Sequence, residues 1–204
     1  MNKFYLIVLI AFTVNAQDTI VYPKIDLYKR NIIEVSYGIP LGQLSNKYES
    51  SINTAFYMRT KIARRQFIDF GAELSSVVKG KEVEYEFDNR KILLDGSKSA
   101  FFLGLRYTRF LYQSKRENFQ IESNSGLGWK YIHYSKPEDE AFAEIDLKPS
   151  LNTIAVTQGV KIMVHGFGLH CNYHYAPYGM FNSKSEDNFG ASSINFGVSG
   201  SWNF

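Results

Sequence analysis

Cysteine is nearly absent: Cys171 is the only one in 204 residues. A single thiol makes no internal disulfide, so an exported fold built on this chain has to be held by something else, such as a closed hydrogen-bonded sheet. Helical heptads, low-complexity tracts and evident internal repeats are also missing, which excludes coiled coils and repeat arrays. The formal net charge is only +3, too small to imply a nucleic-acid partner. No group of Cys, His and carboxylates stands at metal-ligand spacing, so neither a metal nor a cofactor is expected. Long apolar runs are missing beyond the N-terminus, so no spanning helix is expected.

The one apolar run is "MNKFYLIVLIAFTVNAQ". Lys3 supplies a positive start, Phe4 to Val14 form a short apolar stretch, and Val14 and Ala16 are the small residues of a cleavage site before Gln17. The run is too short for a spanning helix, which needs about 20 apolar residues. Residues 1–16 are therefore expected to be a secretory signal peptide, cleaved between Ala16 and Gln17. A short polar lead is expected over 17–30, and a single structural unit over 31–204.

That unit is full of alternation. In "INFGVSGSWNF", Ile194, Phe196, Val198, Trp202 and Phe204 share one parity, and Asn195, Gly197, Ser199, Ser201 and Asn203 share the other. A strand turns successive side chains to opposite faces, so this is a strand with one apolar face. Eight such stretches follow one another, and most are as long as the 9–11 residues that a tilted strand needs to cross a bilayer. Their connections run long, short, long, short, long, short, long, as in an up-and-down meander with one trimmed rim. Within the second long link, "EVEYEFDNRKILL" alternates around Asp88-Asn89 and is expected to extend strands three and four as a hairpin.

Parity alone does not say which face is outside. A soluble exported ligand-binding barrel also has eight strands, with its apolar residues inside. Here the polar face is rich in Gly and Ser and poor in bulky residues, which suits a cramped interior and favours lipid on the apolar side. The tail "GVSGSWNF" resembles the C-terminal signal read by the barrel-assembly machinery on bacterial outer-membrane proteins, with Phe204 last and Trp202 two before it. The Gly expected five before the end is replaced by Ser199. Leader, strands and tail together resemble the small eight-stranded outer-membrane barrels. The fold expected is thus all-β: an eight-stranded antiparallel up-and-down transmembrane β-barrel behind a cleavable signal peptide. The resemblance implies residence in the outer membrane, with membrane lipid and lipopolysaccharide as surroundings and long outer loops facing a partner that the sequence does not name.

With the apolar face on lipid, the interior receives Glu34, Asp69, Glu73 and Glu122 against Arg59, Lys61, Arg106, Lys130 and Lys161. Buried charge costs several kcal/mol unless paired, and an eight-stranded barrel is just wide enough for side chains to fill it. A charge-paired plug is expected rather than a pore. Arg64, Arg65, Lys115 and Arg116 fall at the short-turn rim, as solvated turn charges or as contacts to phosphate head groups.

Two places invite a catalytic reading. "YHYAPYGMF" resembles the end of the lipid A deacylase (acyloxyacyl hydrolase) barrels, whose His-x-Ser pair implies a site at His174. Ala176 stands where the Ser belongs, so no hydroxyl is available to the base. A literal His-x-Ser occurs at His133-Tyr134-Ser135, but on strand five and with the parity that points to lipid. The expectation is a non-enzymatic barrel with a structural or surface-interaction role. A lipid A-modifying barrel or its inactive relative, and a soluble binding barrel, are the alternatives.

Overall fold

The computed structural model describes residues 29–46, 49–78, 83–87, 90–116, 118–135, 150–177 and 190–203. The leader, Ala16, Gln17, most of the lead, the acidic loop after residue 135 and Phe204 lie outside the described residues. Among the described residues nine strands follow in chain order: β1 (Lys29–Leu41), β2 (Ser51–Ala63), β3 (Gln66–Val77), β4 (Val83–Phe87), β5 (Arg90–Gln113), β6 (Phe119–Ser135), β7 (Ser150–Val164), β8 (Phe167–Pro177) and β9 (Gly190–Asn203). β1 starts two residues inside the stretch expected to be lead. A short 3-10 helix, Gly42–Asn46, packs against β9 and buries Leu44.

Every pairing is antiparallel, and apart from β3 and β4 each strand lies beside its neighbour in sequence. Two further pairings close the sheet. β1 meets β9 from Arg30↔Asn203 to Leu41↔Ser192, and β3 meets β5 from Gln66↔Arg109 to Ser76↔Ser99. Eight strands therefore form a closed barrel, which leaves no sheet edge around its wall. β4 pairs only with the start of β5, from Val83↔Leu94 to Phe87↔Arg90, as the hairpin extension expected above strands three and four.

The short connections lie at one end. Arg64-Arg65 joins β2 to β3, residues 114–118 join β5 to β6, and His165-Gly166 joins β7 to β8. Closed two-residue hairpins favour positive φ at their central residues. Arg65 adopts φ 61°, His165 φ 49° and Gly166 φ 85°.

Burial alternates along the strands in the sense opposite to a soluble barrel. From Ser51 to Arg59 every odd residue is buried and Ile52, Phe56 and Met58 are exposed. Leu105 is 54% exposed, Phe196 50% and Ile162 45%, while Glu73 and Arg106 on the other face are buried. The reading as a soluble binding barrel fails here, because a water-soluble wall with this many exposed Ile, Leu, Val and Phe side chains would be one continuous apolar patch. His133 and Cys171 also lie on the exposed face.

The interior differs from the expectation of few bulky side chains. Tyr57, Phe67, Phe102 and Phe110 are all buried inside. Glycine on the same strand and on neighbouring strands makes the room. A Cβ on Gly104 would stand 2.6 Å from Phe102 Cζ, and one on Gly128 would stand 2.6 Å from Phe102 Cε2 and Cζ. A Cβ on Gly71 would lie 2.5 Å from Tyr57 Cδ1. The small residues of the inner face are thus the hollows into which the rings fit.

Candidate functional site

The centre of the barrel is a chain of ion pairs contributed by six strands. Arg59 of β2 uses both edges of its guanidinium. Nε and Nη2 donate to Asp69 Oδ1 and Oδ2 of β3 at 2.7 and 3.0 Å, and Nη1 and Nη2 donate to Glu122 Oε1 and Oε2 of β6 at 3.0 and 2.9 Å. Arg106 of β5 donates from Nε to Asp69 Oδ2 at 3.2 Å, and from Nη1 and Nη2 to Glu34 of β1 at 3.0 and 2.9 Å. Lys161 of β7 donates to Glu34 Oε1. Thr108 Oγ1 adds a fourth donor to Asp69, at 2.8 Å from Oδ2.

The order Glu122, Arg59, Asp69, Arg106, Glu34, Lys161 alternates in sign, three acids with three bases. Asp69 and Thr108 are fully buried, and the other five are nearly so. Planar guanidinium forks match carboxylates edge to edge, so each bidentate pair fixes orientation as well as charge. That geometry is what offsets the desolvation of six ions, since poorly paired ions would destabilise the barrel.

Aromatic rings flank the two arginines. Arg106 Cζ lies 3.9 Å from the centroid of Tyr57. Arg59 Cζ lies 5.2 Å from Phe67 and 5.9 Å from Phe110, two rings in contact with centroids 4.6 Å apart. These contacts are within cation–π range and also shield the ion pairs from water.

Glu73 and Lys130 lie apart from this chain, toward the long-loop end. With Asn53 and Asn195 they line a cavity of about 10 Å³, the room of a single water molecule. Ser75 Oγ donates to Glu73 at 3.5 Å, and His174 Nδ1 stands 4.0 Å from Glu73 Oε1. Lys61, expected among the interior charges, is exposed instead. It keeps the inward parity, but it stands beyond the last inner layer, beside the register shift between Lys61 and Ala63, and so lies in the mouth.

Of the catalytic candidates, His174 and Ala176 are both buried inside the wall. His174 Nε2 meets Asn195 Nδ2 at 3.3 Å, and its ring is edge-on to Phe102 at 6.4 Å. His170, four residues away on the same face, shares a 2.8 Å hydrogen bond with Ser199 Oγ. His133 is outside, stacked on Tyr131, and lies on the opposite face of the wall from His174. Among the described residues no three His, Cys, Asp or Glu are placed to hold a metal ion.

Sequence reasoning did not single out Thr108, Phe67 or Phe110. Their inward parity with Arg106 and Asp69 was the available signal. Trp202 lies on the outer face near the short-turn end, opposite Asn31 of β1.

No protein-family model matches the sequence, and no curated protein matches it either. Solved structures do. The N-terminal β-barrel domain of Pseudomonas aeruginosa OprF is matched at a TM-score of 0.50 and 8% identity, over 86% of this chain and 98% of that one. Neisserial surface protein A is matched at 0.49 and 10%, over 84% and 96%. Ail, the attachment invasion locus protein of Yersinia pestis, is matched at 0.47 and 12%, over 86% and 100%, in a complex with the heparin analogue sucrose octasulfate. At such identities the likeness is one of fold. The closed antiparallel sheet, its outward apolar wall and the match to the OprF barrel together make this chain an eight-stranded barrel of the outer-membrane type.

Proposed function

We propose that the chain is a non-enzymatic outer-membrane barrel, closed along its axis, that serves as a rigid stem for the long loops at one rim. The observation that carries this reading is the combination of an apolar outer wall with an ion-paired interior drawn from six strands. An acyl chain in the bilayer meets Leu105, Val156 and Phe196, and His174 is walled off from it by the sheet. The interior is occupied by side chains, as the width of an eight-stranded barrel requires.

Surface interaction through the long loops fits the same plan, because a stem whose interior is filled by side chains leaves recognition at that rim to the loops it holds up. In this reading residues 1–16 are removed after export, the periplasmic lead runs from residue 17 to the start of β1 at Lys29, the barrel follows, and Trp202 and Phe204 present the tail to the assembly machinery. The test is membrane fractionation followed by gels of unboiled and boiled samples. The expected result is recovery in the outer-membrane fraction, with a compact unboiled form that migrates faster than the boiled one. Recovery in the periplasmic fraction with one heat-independent band would overturn the proposal.

A further inference from the structure

The short-turn end of the barrel opens into two adjoining hollows that share Gln120. The larger, about 390 Å³, is lined by Lys61, Arg64, Arg65 and Lys115 around Gln113 and Ser114. The smaller, about 310 Å³, is lined by Arg30, Arg116 and His165 beside Asn118. Among the described residues no Asp or Glu lines either hollow. Among the described residues the buried acids are all deeper, Glu34, Asp69 and Glu122 within the ion-pair chain and Glu73 beside the small cavity at the other end. Phe67 and Phe110 form the floor of the larger hollow, with Arg59 directly behind them. The mouth is therefore a blind basic cup.

The turn itself points the same way. A two-residue hairpin loop is formed with least strain by Asn-Gly. Here it is Arg64-Arg65, and Arg65 holds a left-handed backbone at φ 61°, where a side chain with a Cβ is disfavoured. Two adjacent cations are thus held on a two-residue turn, beside Lys115 and Arg116 of the next one. Guanidinium groups bind phosphate through paired N–H donors, and lysines add point charge.

We propose that this cup is a binding site for phosphate, taken either from a soluble phosphorylated anion or from the head group of an anionic lipid at the rim. The test titrates inorganic pyrophosphate into the mature chain, folded in an uncharged maltoside detergent, with sodium chloride at matched ionic strength as the control. Calorimetry is expected to show saturable binding of pyrophosphate that chloride does not reproduce. Arg64→Asn with Arg65→Gly suits the turn better, so the barrel still folds, and this pair of changes is expected to weaken binding about tenfold through loss of charge-assisted hydrogen bonds. Lys115→Gln with Arg116→Gln is expected to weaken it in the same direction. Adding phosphatidylglycerol to the micelle separates the sources: competition assigns the cup to lipid head groups, and no competition assigns it to the soluble anion. Equal responses to pyrophosphate and chloride, or unchanged affinity in both variants, would overturn the proposal.

Discussion

Arg106 of β5 grips Glu34 of β1 through two parallel hydrogen bonds of 3.0 and 2.9 Å, across the interior and between strands that are not neighbours in the sheet. Arg59 does the same to Glu122 from β2 to β6. Backbone ladders tie each strand only to those beside it. These side-chain pairs brace the wall from within, and the energetics of the barrel should reflect that.

Glu122→Gln removes one charge from the end of the chain and leaves Arg59 with Asp69 alone. Breaking a buried pair leaves an uncompensated ion, at a cost of about 3 kcal/mol. The expected outcome is a clear fall in the urea midpoint of the barrel in detergent. An unchanged midpoint would mean that the pair contributes nothing to stability.

Gly128→Ala places a methyl group against the ring of Phe102 and the neighbouring backbone. Overpacking of this kind costs about 1–3 kcal/mol. The temperature at which the compact form is lost on gels should drop accordingly. Phe102→Leu in the same chain should recover part of the loss by withdrawing the ring.

Leu105→Arg places a charge on the outer face at mid-wall, where the side chain is now exposed to lipid. A lipid-facing Arg at the bilayer midplane costs about 2–4 kcal/mol. Folding into vesicles should be destabilised by that order. In a water-facing position the same change would be almost silent, so the variant reads the surroundings of the wall directly.

Ala176→Ser restores the hydroxyl that the resemblance to deacylase barrels lacks. Residue 176 is buried on the inner face, as is His174. The expected outcome is no change in lipid A mass when the variant is overexpressed. A mass loss equal to an acyl chain would return the enzymatic reading.

Much of this was legible in the sequence, because a strand's two faces are written in alternate positions. The parity of Ile194 to Trp202, the chain of strands and the inward side of the buried charges all follow from period two. Partner choice is not legible that way. Glu34 and Lys161 are 127 positions apart, and only the stagger of β1 and β7 around a closed sheet brings them together. Lys61 shows the limit of parity: its side follows from the count, but its height in the barrel depends on a register shift. Parity puts Phe102 on the inner face, but how a ring fits there is not legible, since the glycines that make room for it sit at Gly104 and on a different strand at Gly128.

The single cysteine offers the most direct measurement, with no mutation required. Cys171 is exposed on the outer face of β8, between Val160 of β7 and Phe196 of β9. A nitroxide attached to it in the unfolded chain, followed by folding into phospholipid vesicles, reports what lies outside the wall. If the apolar face meets acyl chains, power saturation will show strong collisions with oxygen and few with a water-soluble nickel chelate. Strong collisions with nickel and weak ones with oxygen would place that face in water, and the membrane barrel would be wrong.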